Sequence, residues 1–316
     1  MRPGGPVRAL LALLTAVSLA APIAPAAETL ALSGTVASTE PPAAIGLPGT
    51  PNLVAAIPAL SHIYVIVMEN HEYGAIIGNP KAPYLNSLAA RYGLATNYTA
   101  VAHPSEPNYL ALLSGSTQGV TDDGVHNFAG KNLVDQLAAH GRTWAVFAQD
   151  VPLGCYKGGS RYGGPDGAGW YARKHEPAIS FTDISANASR CARISDFSHF
   201  DPAAANFELI IPNMCNDMHD CSVATGDAFL KKLVPRIQAV MARQPGVLFI
   251  TWDEGGSSLG GGGRVATLVI GPGVRPGYRS AVRHDHYSLL RTIQNAWSLG
   301  CLHRTCTAND LREFFR

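Results

Sequence analysis

The chain runs to 316 residues, 47% of them hydrophobic and 15% charged, with 24 lysines and arginines against 23 aspartates and glutamates. A formal net charge of +1 leaves no electrostatic ground for nucleic acid or an anionic membrane surface as a partner, and nucleic acid is not expected.

The first stretch, MRPGGPVRALLALLTAVSLAAPIAPAA, carries two arginines, an apolar run and a small-residue end at Ala24, Pro25 and Ala26. That is the layout of a cleaved secretory signal over residues 1–26. The run is shorter than the ~20 apolar residues a membrane span needs, and no later segment reaches that length, so stable membrane insertion is not expected. Residues 27–60 are mostly Ala, Pro, Gly, Ser and Thr and have little to bury, which predicts a flexible linker. One folded domain, 61–316, should follow, large enough for a sizeable core.

HIYVIVM (62–68) is a continuous apolar, β-branched run, the pattern of a strand covered on both faces. TWAVFA (143–148), FELIIP (207–212), VLFITW (247–252) and RVATLVIG (264–271) read the same way. Helical patterns lie between them at 82–92, 106–114, 131–140, 225–243 and 286–298. The alternation predicts an α/β domain with a mostly parallel central sheet and helices on both faces, because parallel neighbours need crossover connections. Ligands in such sheets bind at the carboxyl ends of the strands. Residues 150–200, rich in Gly and Tyr, read as an insertion over one face, either touching substrate or forming a disulfide-tied surface loop.

Six cysteines in a chain with an export signal favour disulfides. The short separations 215/221 and 301/306 suggest two local bridges and leave Cys155 with Cys191. No C-x-x-C pair supports a zinc site.

Polar residues that a simple turn would not need follow the strands. Glu69, Asn70 and His71 come after the first; Asn213, Asn216, Asp217, His219 and Asp220 follow 207–212; Asp253 and Glu254 follow 247–252; and His284, Asp285 and His286 precede the last helix. Each group alone has a plain structural explanation as a turn or helix cap. Together at strand ends, their oxygens and imidazoles suit a divalent cation of undefined identity. Ser105, in HPSEPNYLALLSG, stands about where a helix N-cap belongs, and a helix N-terminus also stabilises an alkoxide or a bound phosphate. A serine hydroxyl needs a base or a metal to attack at neutral pH, so cap and nucleophile remain alternatives at this position.

The segments HIYVIVMENHEYGAIIG, HPSEPNYLALLSG, NMCNDMHDCSVATGD, WDEGG and HDHYSLLRTI, in this order, resemble the bacterial phosphoesterase family that joins phospholipases C with acid phosphatases, and its short secreted acid phosphatases most of all. The resemblance spans about residues 61–300. It implies an alkaline-phosphatase-like core and hydrolysis of phosphate esters through a serine or threonine nucleophile, here Ser105. It further implies Glu69, Asp253, Glu254 and Asp217 as metal ligands and His219 as the residue that binds phosphate or protonates the leaving group. Asn70, Asn108 and His286 would bind substrate. The expected protein is a secreted acid phosphatase, extracellular or associated with the cell wall. Its partners would be phosphorylated small molecules or lipid headgroups. A phosphodiesterase or phospholipase C using the same site, and a non-catalytic metal-binding protein, are the alternatives. His71, His103, His126 and His284 are left without a role.

Overall fold

The computed structural model describes residues 56–152, 155–162 and 170–316. The expected signal segment and residues 27–55 of the expected linker lie outside the described residues. The linker's last residues already touch the domain: Leu60 is part of the core, and its carbonyl accepts the indole N–H of Trp297 at 2.8 Å.

Each of the five apolar runs forms a strand, and three very short strands join them. In chain order they are β1 (His62–Met68), β2 (Gly93–Ala95), β3 (Trp144–Ala148), β4 (Ile194–Ser195), β5 (Phe207–Ile211), β6 (Gly246–Trp252), β7 (Thr267–Ile270) and β8 (Arg279–Ser280). They form one eight-stranded sheet in the order β8-β2-β7-β6-β1-β5-β3-β4. β1 lies at its centre, parallel to both β5 and β6. Of the five runs, only β7 reverses, pairing antiparallel with β6 and β2. The reason is its connection: a glycine-rich loop joins β6 to β7 without a helix, and only a crossover can return a chain to a parallel neighbour.

Every residue of β1, β5 and β6 is buried, so helices must cover both faces of the sheet centre. They are α1 (Pro83–Arg91), α2 (Ser105–Ser114), α3 (Leu133–Ala139), α4 (Val223–Met241) and α5 (His286–Ala296). α1 packs against α4, while α2 packs against α3 and α5. Side chains of Asn132, Ser222 and Asp285 cap α3, α4 and α5 by accepting backbone N–H groups. α2 differs: its N-cap is Pro104, and Ser105 is its first helical residue.

Disulfides join Cys155 to Cys191, Cys215 to Cys221 and Cys301 to Cys306, the pairing expected from the spacings. Among the described residues no helix is long and apolar enough to cross a membrane.

Candidate active site

The ends of neighbouring strands bring the expected acids together. Glu69 follows β1 directly and Asp253 follows β6 directly, and the Asp253 N–H still bonds to the Met68 carbonyl at 2.9 Å. The Glu69 N–H bonds to the Asp217 carbonyl at 3.0 Å, which places the turn after β5 against the end of β1. Asn70 turns the chain away with φ of 51°, a conformation Asn tolerates better than most residues, and its N–H donates to Asp253 Oδ1 at 3.0 Å.

Glu69, Asp253, Asp217 and Glu254 are all buried. Burial pushes the Glu69 carboxyl up to about 7 against the opposing charge of Lys174, and raises Asp217 to about 7 although His175 pulls the other way. Asp253 is driven well above its ordinary value by burial and then by the charges of Glu69 and Glu254, and burial also raises Glu254. Asp253 Oδ2 and Asp217 Oδ2 have no hydrogen-bond partner. Crowded carboxylates with orphaned oxygens are what a hard divalent cation compensates, so the donor set of Glu69, Asp253 and Glu254, with Asn70 and Ser105 beside them, fits one. Among the described residues, the three side chains whose ligand atoms all lie within 4.8 Å of one another are Glu106, Asp122 and His126, outside this donor set.

The structure revises the role of Ser105 at the helix end. Its side chain does not cap α2. Asp123, from a loop 18 residues on, accepts the Glu106 N–H at 3.0 Å instead. The freed Ser105 hydroxyl donates to Glu69 Oε2 at 3.2 Å, lies 3.5 Å from Glu254 Oε1 and accepts from Lys174 Nζ at 3.3 Å. Next on this helix, Tyr109 donates its hydroxyl to Glu69 Oε1 at 2.6 Å.

Asn108 and His286 are placed differently from the substrate-binding roles the resemblance implies. The Asn108 amide is fully engaged with the loop before the helix, accepting from the N–H groups of Val101 and Ala102 and donating to the carbonyls of Ala102 and Pro104. His286 is buried behind Asp253. Its Nε2 donates to the Asp253 carbonyl at 2.6 Å and its Nδ1 faces the Tyr98 hydroxyl at 3.1 Å, while burial lowers its pKa to about 4. Both side chains are engaged within the protein: Asn108 holds the loop that leads to Ser105, and His286 holds the Asp253 carbonyl.

His219 stands in a tight turn. Met218 beside it has φ of 82°, and Asp217 Oδ1 accepts the His219 N–H at 2.8 Å. Asp220 binds His219 Nδ1 at 2.6 Å, leaving Nε2 to carry or deliver a proton.

Sequence reasoning did not single out two groups that the structure adds. Lys174 and His175 belong to a short turn, Arg173–His175, inside the insertion closed by Cys155 and Cys191. Lys174 pairs with Asp123 at 3.0 Å, and the buried His175 lies 3.0 Å from Glu69 Oε1 and 3.5 Å from Asp217 Oδ2, stacked on Tyr109. The cationic character of RYGGPDGAGWYARKHEP was the available signal, but no period or spacing points to these two positions. Of the histidines left open, His103 touches a site carboxylate, Glu254 Oε2, at 2.6 Å, and His71 bonds only the Glu69 carbonyl. His284 pairs with Glu313, and His126 bridges Glu106 and Asp122.

The glycine-rich loop after Glu254 closes one side. Glu72 holds it through Ser257 and the Arg264 N–H. A side chain on Gly255 would lie 2.2 Å from Glu72 Oε2, and one on Gly261, at φ of 110°, would lie 2.4 Å from the Val101 carbonyl. At Gly261 the loop rests directly on the segment leading to Ser105, an approach that any side chain there would block.

The sheet with its covering helices shares its fold with solved structures. A protein in the alkaline phosphatase superfamily from Vibrio parahaemolyticus superposes with a TM-score of 0.51 at 10% identity, over 82% of this chain and 71% of that one. The lipoteichoic acid synthase LtaP from Listeria monocytogenes superposes with a TM-score of 0.56 at 9% identity, over 85% and 79%. The chain belongs to the Phosphoesterase family, whose model matches residues 79–300. It is 35% identical over 292 residues to a phosphatidylinositol-3-phosphatase of Mycobacterium tuberculosis, across 89% of this chain and 92% of that protein. It is 31% identical over 259 residues to a probable acid phosphatase of Kluyveromyces lactis, across 78% of this chain and 60% of that longer protein.

Proposed function

We propose that the protein is an exported acid phosphatase that hydrolyses phosphate monoesters, phosphoinositide headgroups among them, through Ser105. The observation that carries this reading is the Ser105 hydroxyl, freed from capping and set at a helix N-terminus between two carboxylates and an ammonium. The relatives named for phosphatidylinositol-3-phosphate and acid phosphatase activity support the substrate class. The three disulfides and the N-terminal segment support export.

In this reading Ser105 Oγ attacks phosphorus in line and its proton passes to Glu69 Oε2. The bond from phosphorus to the ester oxygen breaks, and the alcohol leaves with a proton from His219. Water then attacks the phosphoserine and His219 takes up its proton; as the bond from phosphorus to Ser105 Oγ breaks, Glu69 returns its proton to that oxygen, and inorganic phosphate departs with Ser105 and both proton carriers restored. Asn70 and the helix N-terminus bind the non-bridging oxygens. A divalent cation held by Glu69, Asp253 and Glu254 would lower the pKa of the hydroxyl and neutralise charge on the phosphoryl group.

The test is a substrate panel of p-nitrophenyl phosphate, its bis-ester and its choline ester, run with and without chelator on wild type and Ser105→Ala. Monoester hydrolysis should dominate, chelator should abolish it, and Ser105→Ala should lose about 10³-fold or more in kcat/KM. Preference for a diester, or a loss limited to about tenfold in Ser105→Ala, would overturn the reading.

A further inference from the structure

Lys174 is the one ammonium that reaches the nucleophile among the described residues. It arrives from outside the sheet, on a turn inside the loop closed by Cys155 and Cys191, and its side chain is only 14% exposed. Two of its three N–H donors are spoken for, one by Ser105 Oγ at 3.3 Å and one by Asp123 Oδ2 at 3.0 Å. One donor remains, on a charge fixed beside the atom that attacks phosphorus.

Its surroundings keep that charge in place. Burial alone would lower the lysine's pKa, but the charge of Glu69 and the bond to Asp123 outweigh it and hold the group above its ordinary range. Asp123 also caps α2 through the Glu106 N–H, so the ammonium and the helix carrying Ser105 share one anchor. A lysine held this way cannot swing into solvent without giving up both contacts.

A phosphate monoester bears three non-bridging oxygens and up to two negative charges. A diester bears two such oxygens and one charge, with an uncharged alkoxy group in place of the third. A cation beside the nucleophile therefore helps a monoester more than a diester. Resting on the phosphatase reading above, we propose that Lys174 is a catalytic residue that binds the third phosphoryl oxygen and sets the preference for monoesters over diesters.

The test compares kcat/KM of wild type, Lys174→Met, Lys174→Gln and Lys174→Arg on p-nitrophenyl phosphate and bis(p-nitrophenyl) phosphate, with circular dichroism confirming the fold. Either neutral variant should lose about 10²-fold or more on the monoester and less than about tenfold on the diester. Lys174→Arg, which keeps the charge, should hold the ratio of the two within about threefold of wild type. Competitive inhibition by orthophosphate gives a second measure, its inhibition constant rising about tenfold or more in the neutral variants. Equal losses on both esters, or an unchanged monoester rate, would overturn this proposal while leaving the phosphatase reading intact. Absence of monoester hydrolysis in wild type would instead overturn the phosphatase reading itself.

Discussion

Two kinds of scaffold meet at Ser105. Glu69, Asp253 and Glu254 stand at the ends of β1 and β6, adjacent strands paired over seven positions and buried throughout. Asp217 and His219, like Lys174 and His175, ride on irregular segments, each closed by its own disulfide, Cys215 to Cys221 or Cys155 to Cys191. A paired, buried strand fixes its end without help. A loop that bears a buried acid and a residue at φ of 82° needs a covalent clasp to hold the geometry.

The difference can be broken most severely on the strand side. Asp253→Asn should cost about 10³-fold in kcat/KM on p-nitrophenyl phosphate, because under the proposed mechanism the cation would lose a ligand. The same substitution should raise the thermal stability of the metal-free protein by about 1 kcal/mol, since it relieves a carboxyl forced into crowded, buried surroundings. Calorimetry with and without chelator reads this; a falling melting temperature in the metal-free variant would refute the crowding argument.

On the loop side the effect should be smaller and of another kind. Replacing Cys215 and Cys221 together by serine removes a clasp around a short loop, worth about 2 kcal/mol in the chain-entropy view. Activity should fall by about tenfold as the Asp217 and His219 turn loses its definition, while the parallel sheet persists. Steady-state kinetics and far-ultraviolet circular dichroism separate the two outcomes. Full retention of kcat would show that the turn needs no clasp.

The smallest expected effect on activity lies in the sheet, at Glu208 within β5. Burial raises this carboxyl to about 8, and its Oε2 has no partner. The folded protein then keeps a proton that the unfolded chain releases above its ordinary value of 4.5, so stability falls as pH rises from there toward about 8. Glu208→Gln should flatten that slope and add about 2 kcal/mol at pH 8, with kcat unchanged. Melting curves from pH 5 to 8 measure it, and a slope equal to that of wild type would dismiss Glu208 as its source.

The same division explains what the sequence made legible. Strands buried on both faces are continuous apolar runs whether parallel or, like β7, antiparallel, so β1, β3, β5, β6 and β7 stood out, and with them the acids at the ends of β1 and β6. The two- and three-residue strands β2, β4 and β8 are too short to carry a period. Lys174 and His175 went unseen because an irregular loop has no periodicity that ranks one position above another. At Ser105 the motif Ser-x-Pro-Asn left a cap and a nucleophile open and offered Asn108 as a substrate-binding amide. Only tertiary partners, which no motif spells out, show that Asp123 takes the cap and that the amide of Asn108 bonds its own loop.

The capping by Asp123 reaches beyond mechanism. Because another residue secures the start of the helix that carries Ser105, exchanging Ser105 for alanine should remove its hydroxyl without unwinding that helix. If Ser105 is the nucleophile proposed above, the Ser105→Ala protein should therefore act as a trap that still binds its phosphoester but turns it over slower by about 10³-fold or more, which suits it to fishing the physiological substrate from a cell extract.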